Sequence, residues 1–208
     1  MEMLVKKLAS KISLSLGYDA EKNAVIAYGL LAIVQTSITI ILTFLFGLLV
    51  HAPIEALIVC FAVSLYRKYS GGAHAYSANF CTVISVMYCT LAALLSRLLM
   101  QTYSHGVMLI TIPLVYITVF WISYRYVPVD SPNKPITSEA KIRRMRRGSY
   151  IIISAYMALQ LVFLILDSHS AEFQSYAISL LFGVSWQAFT LTPVGGILLD
   201  KLNSLPKF

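Results

Sequence analysis

Long stretches without a charged residue constrain the fold of this chain more than any other feature. Two of them run from Ala24 to Val50 and from Leu98 to Tyr124. A helix of about 20 apolar residues already spans the hydrocarbon core of a bilayer. The apolar residues recur with helical periodicity rather than with the in-out alternation of a membrane strand. The sequence therefore predicts an all-α, polytopic membrane protein.

Six apolar segments are predicted to span the membrane, and a chain of 208 residues is expected to form a single domain, 1–208. The second segment is the shortest, with about 14 residues, which favours a tilted span, a locally thinned bilayer or a re-entrant hairpin. The predicted spans are Val25 to Leu49, Pro53 to Tyr66, Phe80 to Leu99, Val107 to Tyr124, Ser149 to Leu166 and Phe173 to about Leu191.

Lysine and arginine residues indicate how the predicted spans are oriented. If both termini are cytoplasmic, all of these residues except Arg97 fall on the inner side. The opposite connections carry Glu55, Asp167 and Glu172, and we expect Arg97 to reach the lipid headgroups from the outer end of its span. The positive-inside rule thus explains the basic pI of about 9.3, so we predict no nucleic-acid partner.

The first 17 residues are predicted to form an amphipathic helix. Leu4, Leu8, Ile12 and Leu16 recur every fourth residue, while lysines and serines occupy the other arc. This pattern differs from the continuous apolar core of a signal peptide. We expect the segment 1–17 to lie flat on the inner leaflet of the bilayer as an interfacial helix.

A glycine-marked polar break precedes the third predicted span and contains His74, seven residues before Cys81. A thiol becomes a nucleophile when a histidine takes its proton or when a helix N-terminus stabilises the thiolate, and this segment offers both. In one continuous helix the two side chains would lie roughly 10 Å apart, so the chain must fold back, as Gly71 and Gly72 allow. From the chemistry alone, His74 is as easily a packed histidine as a catalytic base. Cys81 is likewise as easily an inert cysteine as a nucleophile.

The other two cysteines, Cys60 and Cys89, fall inside predicted spans, where we expect them to be small packing residues. Three cysteines without paired spacing argue against a disulfide framework. Cys89 also belongs to a stripe of small residues with Ser85, Ala92 and Ser96. Such a stripe is typical of a close helix-packing face, either within a protomer or across a homodimer.

Several motifs occur together along the chain: Arg67, the run from Gly71 to Ala75 that includes His74, Cys81, the string from Val127 to Pro135, a basic run, and Gln187. In this combination the chain resembles the accessory gene regulator B (AgrB) family over nearly its whole length. The resemblance implies a cysteine endopeptidase of the bacterial cell membrane. Such an enzyme cleaves the precursor of a quorum-sensing peptide and leaves a thiolactone or lactone ring, with the matching His74 and Cys81 as catalytic residues.

The segment 125–147 is predicted to be a cytoplasmic basic loop, with seven basic residues against Asp130 and Glu139. One role is anchoring on anionic lipid of the bilayer, worth about 1 kcal/mol per charge. The other is capture of the substrate, which the resemblance implies is an AgrD-like propeptide with an amphipathic leader and an acidic C-terminal tail. The predicted substrate-binding residues are Arg67, Gly71, Gly72, Lys141, Arg143, Arg144, Arg146 and Arg147.

Three functions of other classes are alternatives to an endopeptidase: a permease, a zinc hydrolase and a non-catalytic scaffold. A small polytopic permease that exports a peptide or a small solute is the alternative, with Gly71 to Asn79 lining its path, although no internal repeat supports it. A zinc hydrolase lacks a second histidine or carboxylate at ligand spacing from His74, so we predict no metal and no cofactor. A non-catalytic scaffold leaves the histidine and cysteine pair unexplained.

Overall fold

Helices account for nearly all of the described residues. The computed structural model describes residues 2–72, 78–130, 138–167 and 172–203. Within these ranges β pairing is limited to one isolated bridge, between Gly71 and Val129, which confirms the all-α prediction. The helices are α1 (Glu2–Ser15), α2 (Ala20–Leu49), α3 (Pro53–Ser70), α4 (Ala78–Leu99), α5 (His105–Tyr126), α6 (Glu139–Asp167), α7 (Glu172–Leu191) and α8 (Pro193–Asn203).

Fewer helices than predicted are long and apolar enough to cross a membrane. In the described part of the chain, α2, α4, α5 and α6 give 4 spans, or 5 if α7 and α8, which are bent by 89°, form one broken span. The prediction of six spans is therefore wrong in its count. Helix α3 is not among these spans. Its 18 residues include Glu55, Arg67 and Lys68, and a helix that other helices cover does not need an apolar surface all round.

The chain separates into two compact units, Met1–Leu42 and Thr43–Phe208. In the first unit, Ser13 Oγ donates to Asn23 Oδ1 over 3.1 Å and joins α1 to the start of α2. Gly17 lies between these helices with a φ of 64°, which glycine adopts readily. Leu8 and Leu16 are exposed, and their contact with the inner leaflet stays a prediction, as does the single domain.

The second unit is built around α7, which packs against α3, α4, α5 and α6. At Gly183 the backbones of α7 and α3 come close, because an added Cβ would lie 2.6 Å from Ala62 Cβ and 3.1 Å from Val59 O. Small residues permit such close helix packing inside a membrane. On the side of α4, the rings of Tyr88 and Trp186 stack with centroids 4.2 Å apart. These contacts make α7 the helix on which its neighbours are aligned.

The small-residue stripe of α4 packs inside the chain. Cys89, Ala92 and Ser96 are buried, and the thiols of Cys89 and Cys60 are hydrogen-bonded between α4 and α3. The prediction that Cys60 and Cys89 are packing residues is confirmed. Because the stripe is used within one protomer, it does not supply the face of a homodimer, and the homodimer stays a prediction.

A buried ion pair joins α3, α4 and α7 at the end of the second unit where α3 begins. Glu55 is fully buried, and its Oε1 accepts from Arg97 Nε at 2.6 Å and from Ser175 Oγ at 2.5 Å. The expectation that Arg97 reaches the headgroups is corrected here, since it turns to Glu55 and its side chain is 34% exposed. A buried carboxylate without a cation is costly, so the ion pair outweighs free access to the headgroups.

We expect Arg97→Gln to lower the free energy of unfolding by about 3 kcal/mol, because Glu55 would stay buried without its cation. Thermal unfolding of the purified protein in detergent would measure this loss. Arg143→Gln is the matched control, since Arg143 and Glu139 form an exposed pair of 3.2 Å that contributes little to stability. A loss no larger than that of the control would contradict the prediction.

Candidate functional site

The opposite end of the second unit brings several helix ends together. The C-terminal ends of α3 and α7, the start of α4, the chain after α5 and the first turns of α6 contact one another there. These ends carry nine residues that the sequence predicts for the site, namely Arg67, Gly71, Gly72, Cys81, Lys141, Arg143, Arg144, Arg146 and Arg147. The candidate site therefore lies at this end, away from the Glu55 and Arg97 pair.

Cys81 lies at the start of α4, three residues after Ala78 begins the helix. Its side chain is partly exposed, whereas Cys60 and Cys89 are buried. The free N–H groups and the dipole at a helix start favour an anion, so the position suits a thiolate. Cys81 is thus the thiol that a reactant can reach. His74 lies outside the described residues, and its pairing with Cys81 stays a prediction.

Arg67 lies in the last turn of α3 and interacts electrostatically with Cys81. Burial lowers the pKa of Arg67 from its ordinary value, and the negative charge of a Cys81 thiolate opposes this shift. Arg67 therefore lies close enough to Cys81 to interact with a negative charge there. The predicted substrate-binding residue Arg67 therefore lies beside the candidate nucleophile.

Gly71 and Gly72 form a turn that suits no other residue type. Gly71 has φ 72° and ψ −148°, and Gly72 has φ 133°, which is backbone that essentially only glycine adopts. A Cβ on Gly71 would overlap the carbonyl oxygen of Val129, and the Val129 N–H donates to Ser70 O over 2.9 Å. The backbone freedom predicted from the sequence is thus used for close contact with the segment 127–130.

Gln187 of α7 is fully buried beside this turn. Its Nε2 donates to Ser70 Oγ over 3.0 Å and to Gly71 O over 2.8 Å. A Cβ on Gly72 would lie 3.2 Å from the same nitrogen. The sequence predicts no role for Gln187 beyond its place in the resemblance. The signal that indicates one is an amide in the second half of α7, where most neighbouring residues are apolar, because a buried amide needs partners.

Arg146 supports the same region from α6. Its Nε donates to the backbone oxygen of Val127 over 2.7 Å, and Val127 is itself buried. A hydrogen bond from a charged donor is stronger than one between neutral groups. Arg146 thus holds the segment 127–130 in place, next to Gly71, and is already used within the protein.

The other basic residues of α6 differ in their surroundings. Arg143 Nη1 lies 3.2 Å from Glu139 Oε2, one helical turn away. Lys141 is half-buried, while Arg143, Arg144, Arg146 and Arg147 are exposed. The five cations of α6 that are predicted to bind substrate are not equivalent, because Arg143 and Arg146 already have partners. Arg144 and Arg147 are open to an acidic partner.

Side chains that bind metals are not grouped in the part of the chain that the structure describes. No three His, Cys, Asp or Glu residues of those ranges come together as ligands would. Glu55 is paired with Arg97, and Cys60 with Cys89. Since His74 lies outside the described residues, the metal-free chemistry predicted from the sequence stays a prediction.

Comparisons with known proteins agree with one another. The family model of accessory gene regulator B matches residues 5–191. An AgrB-like protein of Clostridium perfringens strain SM101 is 37% identical over 207 residues, which cover 98% of this chain and 97% of the relative. AgrB-like protein 2 of Clostridium perfringens strain 13 is 36% identical over the same lengths. No solved structure matches the chain.

Proposed function

We infer the function of this chain from the premise that it belongs to the accessory gene regulator B family. Membership of this family connects the chain with accessory gene regulator autoinducer processing. We propose that it is a multi-pass cysteine endopeptidase of the bacterial cell membrane. It cleaves a quorum-sensing propeptide through an acyl-enzyme on Cys81 and promotes cyclisation to a thiolactone or lactone.

The position of Cys81 is the observation that carries this proposal. Its thiol is partly exposed at the start of α4 and interacts with Arg67, whereas the other two thiols are buried between helices. A packing cysteine needs neither exposure nor a cation nearby. A nucleophilic cysteine needs both access for the substrate and an environment that stabilises the thiolate.

The proposed reaction proceeds in two stages. His74 takes the proton of the Cys81 thiol, and the thiolate attacks the carbonyl carbon of the scissile peptide bond. The C–N bond breaks, His74 returns the proton to the leaving amine, and the C-terminal fragment departs. A cysteine or serine within the peptide then attacks the thioester on Cys81, which closes the ring and releases the thiol. Exclusion of water favours this ring closure over hydrolysis.

Trapping the acyl-enzyme tests the proposal directly. A propeptide whose ring-forming cysteine is replaced by alanine cannot cyclise, so we expect its N-terminal part to accumulate on the enzyme. Mass spectrometry of acid-quenched proteoliposomes should locate the adduct on Cys81, and hydroxylamine should remove it. Cleavage that proceeds with no adduct on Cys81, or with an adduct on Cys60 or Cys89 instead, would contradict the mechanism.

The substrate is proposed to be an AgrD-like propeptide whose amphipathic leader lies on the bilayer and whose acidic tail meets the start of α6. All four arginines there are exposed, but Arg143 and Arg146 already have partners, which leaves Arg144 and Arg147 for the tail. We place both termini and the segment 125–147 on the cytoplasmic side, where a propeptide is synthesised. Opposite charges on the two partners would speed their encounter.

The double replacement Arg144→Gln with Arg147→Gln is expected to raise the KM for the full propeptide about threefold to tenfold, because two exposed ion pairs contribute little each. The effect should disappear with a propeptide whose tail carboxylates are changed to amides. Added salt should mimic it, since screening acts within about 10 Å at 0.1 M. Arg143→Gln serves as the control, and an equal rise in KM on both peptides would show that α6 does not bind the tail.

A further inference from the structure

Only the nitrogen of the buried Gln187 amide makes hydrogen bonds in the described part of the chain. The Nε2 atom makes two hydrogen bonds, to Ser70 Oγ and to Gly71 O. The Oε1 atom is buried and has no hydrogen-bond partner in the described part of the chain. Because the oxygen of Gly71 can only accept, the atom 2.8 Å from it is the amide nitrogen. The orientation of the side chain is therefore set by the turn.

The turn that Gln187 holds is the start of the connection between α3 and α4. Gly71 N–H donates to Arg67 O over 3.0 Å, which closes the last turn of α3. The connection that begins here contains His74 and ends at the helix start that carries Cys81. Glycine has access to many backbone conformations, so Gly71 and Gly72 keep one of them only when neighbouring groups hold it. The donor from α7 is such a group.

We propose that Gln187 is a positioning residue for propeptide cleavage, through the two hydrogen bonds by which its Nε2 holds the Gly71 and Gly72 turn. This inference rests on the proposed function of the Cys81 site. In this role Gln187 acts through the turn. It fixes the backbone at which the chain leaves α3, ahead of the connection that contains His74 and leads to Cys81.

A role in stability alone makes a different prediction. Removing a buried donor leaves its acceptors without a partner, which lowers stability. Methionine has about the size and flexibility of glutamine, so it fills the same space. If Gln187 contributes to stability alone, Gln187→Met should lower the melting temperature, while the protein that stays folded should cleave at the wild-type rate.

Gln160 of α6 provides a matched control. It is also fully buried, its Nε2 donates to a backbone oxygen, that of Ala177, over 3.2 Å, and its Oε1 also has no partner among the described residues. The two glutamines thus share burial and chemistry. They differ in that Gln160 bonds α7 near its first turns, at the end of the unit away from Cys81.

We expect Gln187→Met to lower kcat for propeptide cleavage in proteoliposomes about a hundredfold, the effect of a small displacement of catalytic groups. Its KM should stay near the wild-type value. Gln160→Met should keep the wild-type kcat. Both variants should lose some stability, because each leaves an acceptor without its donor. An equal kcat in the two folded variants would overturn the proposal, while wild-type protein that cleaves no propeptide would instead overturn the proposed function.

Two further measurements test the proposal independently of the cleavage rate of Gln187→Met. Hydrogen exchange of the segments that contain Gly71 and Val129 should be faster in Gln187→Met than in Gln160→Met, and equal rates would overturn the proposal. In Gln187→Glu, a protonated carboxyl can donate to Gly71 O and an ionised one cannot. Its kcat relative to wild type should therefore fall as pH rises through the pKa of the new carboxyl, and a constant ratio would count against the proposal.

Discussion

Cys81→Ala is expected to slow propeptide cleavage by more than about a thousandfold, because no acyl-enzyme forms without the thiol. His74→Ala should be nearly as slow, since the thiol then loses its base. Groups that act as one unit do not add their effects, so the double variant should be no slower than Cys81→Ala. Mass spectrometry of purified propeptide incubated with proteoliposomes would measure these rates.

Cys60→Ala and Cys89→Ala are the matched controls for this experiment. Both thiols are buried and hydrogen-bonded to each other, so we expect a modest loss of stability and continued cleavage. Full-rate cleavage by Cys81→Ala would exclude Cys81 as the nucleophile. If the wild type does not cleave the propeptide and Cys81→Ala still exports it intact, the permease is the favoured function.

Gly71→Ala is expected to have the other large effect. A residue with a side chain at φ 72° and ψ −148° costs about 1–3 kcal/mol in strain. The added Cβ would also overlap the carbonyl oxygen of Val129, so the turn and the segment 127–130 cannot both keep their positions. We expect cleavage to fall about a hundredfold, together with a lower melting temperature.

Gly106→Ala separates this effect from the general consequence of adding a methyl group. Gly106 lies in α5, where an added Cβ meets no atom within 4 Å. Alanine is also the better helix former, so this variant should be as stable as the wild type or more so. Similar cleavage rates for Gly71→Ala and Gly106→Ala would show that the turn tolerates a side chain.

Hydrophobicity predicted the class of the fold but overcounted the spans. The helix that includes Pro53 to Tyr66 has enough apolar residues to resemble a short span, yet its buried face packs against α4, α6 and α7. Apolar character in a sequence does not distinguish a side chain that faces lipid from one that faces another helix. Only the packing of the helices separates these two environments.

Local patterns determined several features of this protein by themselves. The long uncharged stretches specify α-helices in a membrane, and the glycine pair specifies a turn before Cys81. The difference between Cys81, beside a polar segment, and Cys60 and Cys89, within apolar ones, predicts which thiol is accessible. These predictions succeed because hydrophobic periodicity and glycine conformation depend on residues that are close in sequence.

Tertiary structure alone decided which distant residues meet. It pairs Arg97 with Glu55, turns Arg146 to Val127 and joins Gln187 to Gly71, and none of these partners is near the other in sequence. A buried polar group must find a partner, but its sequence neighbours do not reveal which one. The choice depends on how the helices are aligned, and that alignment is set by the packing of the whole bundle around α7.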